Sequence, residues 1–144
     1  MRGRPATGAV LCGVSAALLF IINPAKAQPA KTTATGVYTD AQAKRGGAAY
    51  DKNCASCHGT DLISTDREVS NLTGNAFKRW NGKTVGELFE VTRDTMPPEE
   101  KRGLDDQVYL DIVAYILQFN KVPSGNQELK PDIETLKQIV IAAP

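Results

Sequence analysis

Apolar residues return at helical intervals in three stretches of the chain, separated by runs where polar residues, Gly and Pro break the rhythm. In the first, from Asp40 to about Asn53, Ala43, Gly47 and Tyr50 stand four and three apart, which lines up one buried face. The second starts in "TVGELFEV", where Thr84 and Glu87 have capping-box spacing and Leu88 and Val91 can point inward; it should stop near Arg93, before "TMPP". The third and strongest covers Asp106 to about Asn120. Asp105 is its N-cap, Val108, Ile112, Tyr115, Ile116 and Phe119 form its apolar face, and Pro123 and Gly125 end it. A final segment from Pro131 to about Ile141 sets Ile133, Leu136 and Val140 on one side, which predicts a short helix covering the domain surface. No strand-like alternation of useful length and no internal repeat appears, so the expected class is all-α, with three main helices, loops and a short C-terminal helical extension.

The breaks in the pattern are informative too. Residues 59–83 hold Gly59, Gly74 and Gly82 among several Asn and Ser residues and read as one long loop. Loops of that length in a small domain usually enclose something. Gly46 and Gly47 each weaken the first helix by about 1 kcal/mol relative to Ala, which suits a close approach by another backbone. Residues 28–39, opening with "QPAKTTATGVY", are poor in apolar residues and read as a flexible lead-in.

Ahead of these elements the chain reads as a secretory signal peptide over residues 1–27. Arg2 and Arg4 precede an apolar run from Gly8 to Ile22, and Ala25-Lys26-Ala27 supplies a cleavage site. That run is shorter than the roughly 20 residues a spanning helix needs, so no stable membrane span is expected after cleavage. The expected organisation is then a lead-in at 28–39, a domain at 40–122 and an extension at 123–144. The signal holds three of the 17 Lys and Arg residues and none of the 16 Asp and Glu, leaving 14 basic against 16 acidic side chains. Charges of both signs are interspersed along the chain, which argues against nucleic-acid binding.

Chemistry concentrates in "NCASCHG", where Cys54 and Cys57 are followed by His58, the single histidine of the chain. Four uses compete for this trio. A structural zinc ion takes four ligands, and the mature chain offers three such residues. A redox dithiol sits in a βαβ setting that the pattern lacks. A plain disulfide suits an oxidising compartment but leaves the histidine without a reason. C-x-x-C-H is also the signature of covalent haem attachment, and export, an all-α pattern and a second axial ligand would agree with it. Once Met1 leaves with the signal, Met96 is the remaining methionine, and Pro97 biases it towards extended backbone. A lone Met is ordinarily core filler, but a Met in the polar, proline-rich "DTMPPEE" is poorly placed for a core.

At these residues the chain resembles the class I c-type cytochromes, in particular small bacterial monohaem ones associated with quinoprotein dehydrogenases. The resemblance spans roughly residues 40–120 through "GGAAYDKNCASCHG", the tryptophan followed by "VGELF", "TMPP" and "YLDIVAYI". It implies a class I cytochrome c fold around one haem c attached through Cys54 and Cys57, with His58 and Met96 as iron ligands. It also implies packing of Gly46 and Tyr50 against Tyr115, and places Trp80 beside a haem propionate; a tryptophan closing the apolar pocket is the alternative. In the position of the family's usual proline, whose carbonyl receives the proximal histidine's N–H, this chain places Ser70.

The function so implied is one-electron transport in the bacterial periplasm, without an enzymatic activity of its own. A dehydrogenase, by the resemblance a quinoprotein, would be the donor, and an oxidase or another cytochrome the acceptor. Two other readings stand beside it. One is a permanent haem subunit of a dehydrogenase complex, with the extension as docking element. The other is an open-site haem enzyme or gas sensor, which would make Met96 a bystander.

Overall fold

Helix α1, Asp40–Asn53, begins where the Thr39 side chain accepts the Gln42 N–H at 3.0 Å. The computed structural model describes residues 1, 3 and 31–144, so the expected signal peptide with its cleavage site lies outside the described residues. After α1 come a single turn α2, Ala55–His58, a second short helix α3, Asn75–Lys78, and the longer α4, Val85–Thr95. Both arms of the expected capping box are present on α4, with Thr84 accepting from Glu87 and Glu87 from the Thr84 N–H. Helix α5, Asp106–Phe119, is capped by Asp105 as the sequence predicts, and α6, Ile133–Leu136, lies in the extension. The class is all-α.

Helices α1 and α5 form the most extensive helix pair. Their crossing turns on Gly46, where a Cβ would lie 1.7 Å from the backbone carbonyl oxygen of Asp111. One turn further along α1, the Tyr50 ring meets Tyr115 of α5, with centroids 5.2 Å apart. Gly47 faces the Tyr115 ring more loosely, its added Cβ being 3.3 Å away. Beside the crossing Asp111 is nearly buried, and its carboxylate accepts from Gln42 at 3.1 Å, Arg45 at 2.9 Å and Gln107 at 3.0 Å. A buried carboxylate is tolerated only with partners of this kind.

Residues 31–39 correct the expectation of a loose lead-in. Strand β1, Lys31–Thr32, pairs in parallel with β2, Ile139–Val140, and a short 3-10 turn, Thr33–Thr35, follows it. Thr33, Val37 and Tyr38 are buried, and the Tyr38 hydroxyl donates to the Val122 carbonyl. The partners lie some hundred residues away along the chain, so no local pattern announces them. The extension is likewise shorter in helix than its periodicity predicts, because Ile139 and Val140 leave the helix to form the second strand. Leu129, Leu136, Ile139 and Ile141 are buried in it. Gln42 reaches it as well, accepting from the Leu129 N–H at 2.8 Å.

The Gly46 contact makes a sharp comparison possible. Gly46→Ala should lower stability by about 2–3 kcal/mol, since backbone rather than a flexible side chain blocks the new methyl. Gly47→Ala should stay within about 1 kcal/mol of the parent, the helix-propensity gain offsetting a mild contact with a movable ring. Denaturant unfolding of both variants checks this, and equal midpoints would show that the crossing does not depend on Gly46.

Candidate functional site

Cys54 closes α1, and its φ of −129° and ψ of −34° break the helix so that α2 can restart at a new angle. The single turn of α2 is held by the Cys54 carbonyl, which accepts from the N–H groups of Cys57 at 3.1 Å and His58 at 2.9 Å. Gly59, with φ at +75°, ends the turn in a conformation that favours glycine. Its carbonyl receives the Tyr50 hydroxyl at 2.7 Å, which fastens the trio to the aromatic pair at the helix crossing.

His58 is buried, at 8% exposure, and its Nδ1 lies 2.9 Å from the Ser70 carbonyl oxygen. A carbonyl can only accept, so Nδ1 carries a proton, and the neutral ring presents its Nε2 lone pair, the form a metal ion requires. Ser70 thus supplies the acceptor expected of it from the backbone, and the missing proline ring removes nothing from that bond. The loop that carries Ser70 is itself tied down: Leu72 donates to the Leu62 carbonyl at 2.9 Å, and Asn120 at the end of α5 donates to the Leu72 carbonyl at 2.9 Å.

Helix α4 runs two residues further than expected, to Thr95, and Met96 is its C-cap in extended conformation, with φ at −125° and ψ at 145°. The restriction that Pro97 places on the preceding residue accounts for a helix that stops there. The Met96 carbonyl accepts the hydroxyl of Tyr109 at 2.8 Å.

Cys54, Cys57, His58, Trp80 and Met96 all line one cavity of about 430 Å³, although Cys54 and Met96 lie 42 positions apart in the chain. Leu72, Phe77, Leu88, Ile112 and Ile116 supply apolar wall, and Arg79, Glu68 and Glu99 bring charge of both signs to it. Its volume falls in the roughly 300–1,000 Å³ range of small-molecule and cofactor sites. Val91 is 48% exposed because it faces this cavity, where an apolar side chain gains only if something apolar covers it. Trp80 is half-buried in the wall, with the Lys83 ammonium 5.1 Å from its ring centroid.

Both cysteines are free thiols. Burial, with a smaller contribution from Cys57, pushes the Cys54 thiol up to about 11, so it stays un-ionised at neutral pH. A buried thiol of this kind is a poor metal thiolate, whereas a thioether, having no proton to lose, is at ease there. Among the described residues no three His, Cys, Asp or Glu side chains gather as a metal cage. The residues fit a flat apolar group with a metal at its centre: one nitrogen donor, one thioether donor, two sulfurs on one side and an oily wall. Sequence reasoning missed Tyr109 and Asn120, whose bonds run to distant backbone carbonyls and leave no periodic trace.

The family described as cytochrome C oxidase, cbb3-type, subunit III matches residues 41–116, more than half of the chain and inclusive of every residue just named except Asn120. Among solved structures, the sulfane dehydrogenase SoxCD from Paracoccus pantotrophus is similar at 23% identity and a TM-score of 0.49, over 74% of this chain. The chain spans 60% of the length of that relative. No curated protein matches it.

Val91→Asp tests the cavity directly. In the cofactor-loaded protein it should cost about 2 kcal/mol, because a carboxylate would be pressed against an apolar surface with no partner. Thermal unfolding of the haem-containing protein is the measurement. An unchanged midpoint would mean that Val91 stays in water and that nothing apolar covers it.

Proposed function

Because the chain belongs to this cytochrome c family, whose domain implies haem and electron transfer, we propose that it is an exported monohaem c-type cytochrome carrying single electrons in the periplasm. The observation that carries the proposal is the convergence of Cys54, Cys57, His58 and Met96 on one apolar-walled cavity. When bound there, haem would supply an iron that alternates between Fe(III) and Fe(II).

In this reading the residues have distinct tasks. Cys54 and Cys57 would hold the cofactor through thioethers and so fix its rotation in the cavity. His58 provides the Nε2 lone pair, with Ser70 keeping the imidazole in one tautomer and one orientation. Met96 would offer a thioether ligand, whose soft sulfur favours Fe(II) and so would raise the potential. With His58 and Met96 both bound to it, the iron would have no place left for a substrate, which suits a carrier better than an enzyme or gas sensor. Leu72, Phe77, Leu88, Ile112 and Ile116 exclude water, and a low-dielectric surround keeps reorganisation small when the charge changes. Trp80 closes one side of the wall. Cys57 is exposed, so the cofactor's attached edge would lie close to solvent where a partner can approach.

The proposed donor is a periplasmic dehydrogenase, a quinoprotein by family resemblance, and the acceptor an oxidase or another cytochrome. The second reading, a permanent haem subunit of a dehydrogenase complex, uses the same site; Leu129, Leu136, Ile139 and Ile141 are buried in the chain's own fold, so docking through the extension would fall to its exposed polar residues.

The test is spectroscopic. The oxidised protein should show the weak far-red band of a sulfur–iron bond, and Met96→Ala should abolish it while the haem stays attached. The same variant should lower the reduction potential by on the order of 0.1 V, a fraction of the roughly 0.8 V that axial ligands command. A variant that retains both band and potential would remove Met96 from the site. Stopped-flow mixing with reduced quinoprotein dehydrogenase should give haem reduction within a catalytic turnover, and no reduction would remove that donor.

A further inference from the structure

Eight residues, Pro97 to Leu104, leave the end of α4 and return to the start of α5, and they hang from Met96. One side chain touches both ends of this loop. The Tyr109 hydroxyl donates to the Met96 carbonyl at 2.8 Å and receives the Leu104 N–H at 3.5 Å, a long bond beside a good one. Tyr109 is buried, at 1% exposure, and does not line the cavity. It therefore stands outside the cofactor space, and its hydroxyl reaches that space through the backbone of Met96.

The rest of the loop is fastened from outside. Arg102 donates its N–H to the Arg93 carbonyl at 3.0 Å, and its guanidinium meets Asp94 at 3.0 Å. Arg93 pairs with Asp94 at 2.8 Å and with Asp106 at 3.6 Å. Arg102 is 63% and Asp106 49% exposed, and pairs so wet shift an equilibrium by about fivefold at most. The hydroxyl bond is different in kind, because breaking it strands a buried donor and a carbonyl together.

We propose that Tyr109 is a positioning residue for Met96: its hydroxyl clasps the neck of the 97–104 loop and so sets how readily the thioether leaves the iron. This rests on the reading of Met96 as axial ligand. Release of the thioether is a local opening, separate from global unfolding, and a bond present in the closed loop and lost in the open one weights that local equilibrium alone. The aromatic ring at 109 keeps its core position in either case, so a variant lacking only the oxygen isolates the clasp.

The experiment is imidazole titration of the haem-containing protein, followed by loss of the far-red band. Tyr109→Phe should tighten apparent imidazole affinity roughly tenfold, the effect expected for one buried hydrogen bond lost on opening. Tyr38→Phe is the control. It also removes one buried tyrosine-to-carbonyl bond, to Val122, but at a place that does not border the cavity, so it should lower global stability and leave imidazole affinity at the parent's value. Equal affinity in the two variants overturns the proposal. A parent protein without the far-red band overturns it together with the ligand reading, whereas a parent with the band and a silent Tyr109→Phe overturns the clasp alone. A second measurement needs no variant: in the parent saturated with imidazole, the Arg102 amide should lose protection from hydrogen exchange. Retained protection would show that Met96 swings out without the loop opening, and would overturn the proposal.

Discussion

At Gly46 helix α1 approaches α5 so closely that a single methyl group would collide with the Asp111 carbonyl, and the placement of the site follows from that approach. Two helices crossing at this distance cannot slide, because the backbone of one sits in the space a side chain would need. Tyr50 is carried one turn along α1 to meet Tyr115, and its hydroxyl then fixes Gly59 immediately after the Cys-x-x-Cys-His turn. On the other side of the same crossing, α5 presents Ile112 and Ile116 to the cavity and Tyr109 to the Met96 carbonyl. One contact between backbones therefore fixes the separation of the two candidate ligands, although neither ligand takes part in it.

The features that could be read from residues alone are those whose physics is local. The starts of α4 and α5 were legible because Thr84 and Asp105 are side-chain caps acting within three residues, whereas the Thr39 cap of α1 was not read from the sequence. The trio was legible because its chemistry depends on spacing within one turn. Met96 could be singled out because proline acts on its immediate neighbour. Ser70 could be named only through family resemblance, since a backbone carbonyl has no identity in a sequence. Tyr109, Asn120 and the Asp111 cluster were invisible for the same reason: each joins positions far apart in the chain, and each side chain sits where periodicity already explains it or is silent.

The lead-in shows the opposite failure. Composition made residues 31–39 look loose, yet Val37 and Tyr38 are among the most buried residues and β1 finds its partner in the extension. Two-residue strands offer no alternation to detect, and the pairing has meaning only once both ends of the domain have been brought together. The extension in turn backs α4: Gly86 lies so close to Lys137 that a Cβ there would be 2.7 Å from its side chain, while Leu88 and Val91 of the same helix look into the cavity. A segment that lines no part of the site thus supports the helix that leads to Met96.

Helix α4 is also a ruler. From its Thr84 cap to Met96 the backbone is helical without interruption, and each residue advances about 1.5 Å while turning about 100°. Inserting or deleting one residue anywhere between them would swing Met96 by that angle and aim its sulfur away from the cavity, however conservative the residue. Between Thr65 and Glu68 no comparable constraint operates, because those residues are exposed and the bonds there are short-range turns. Length variation among relatives should therefore collect in that loop and be absent from α4, so that the two halves of the site carry very different freedom to gain or lose residues over evolutionary time.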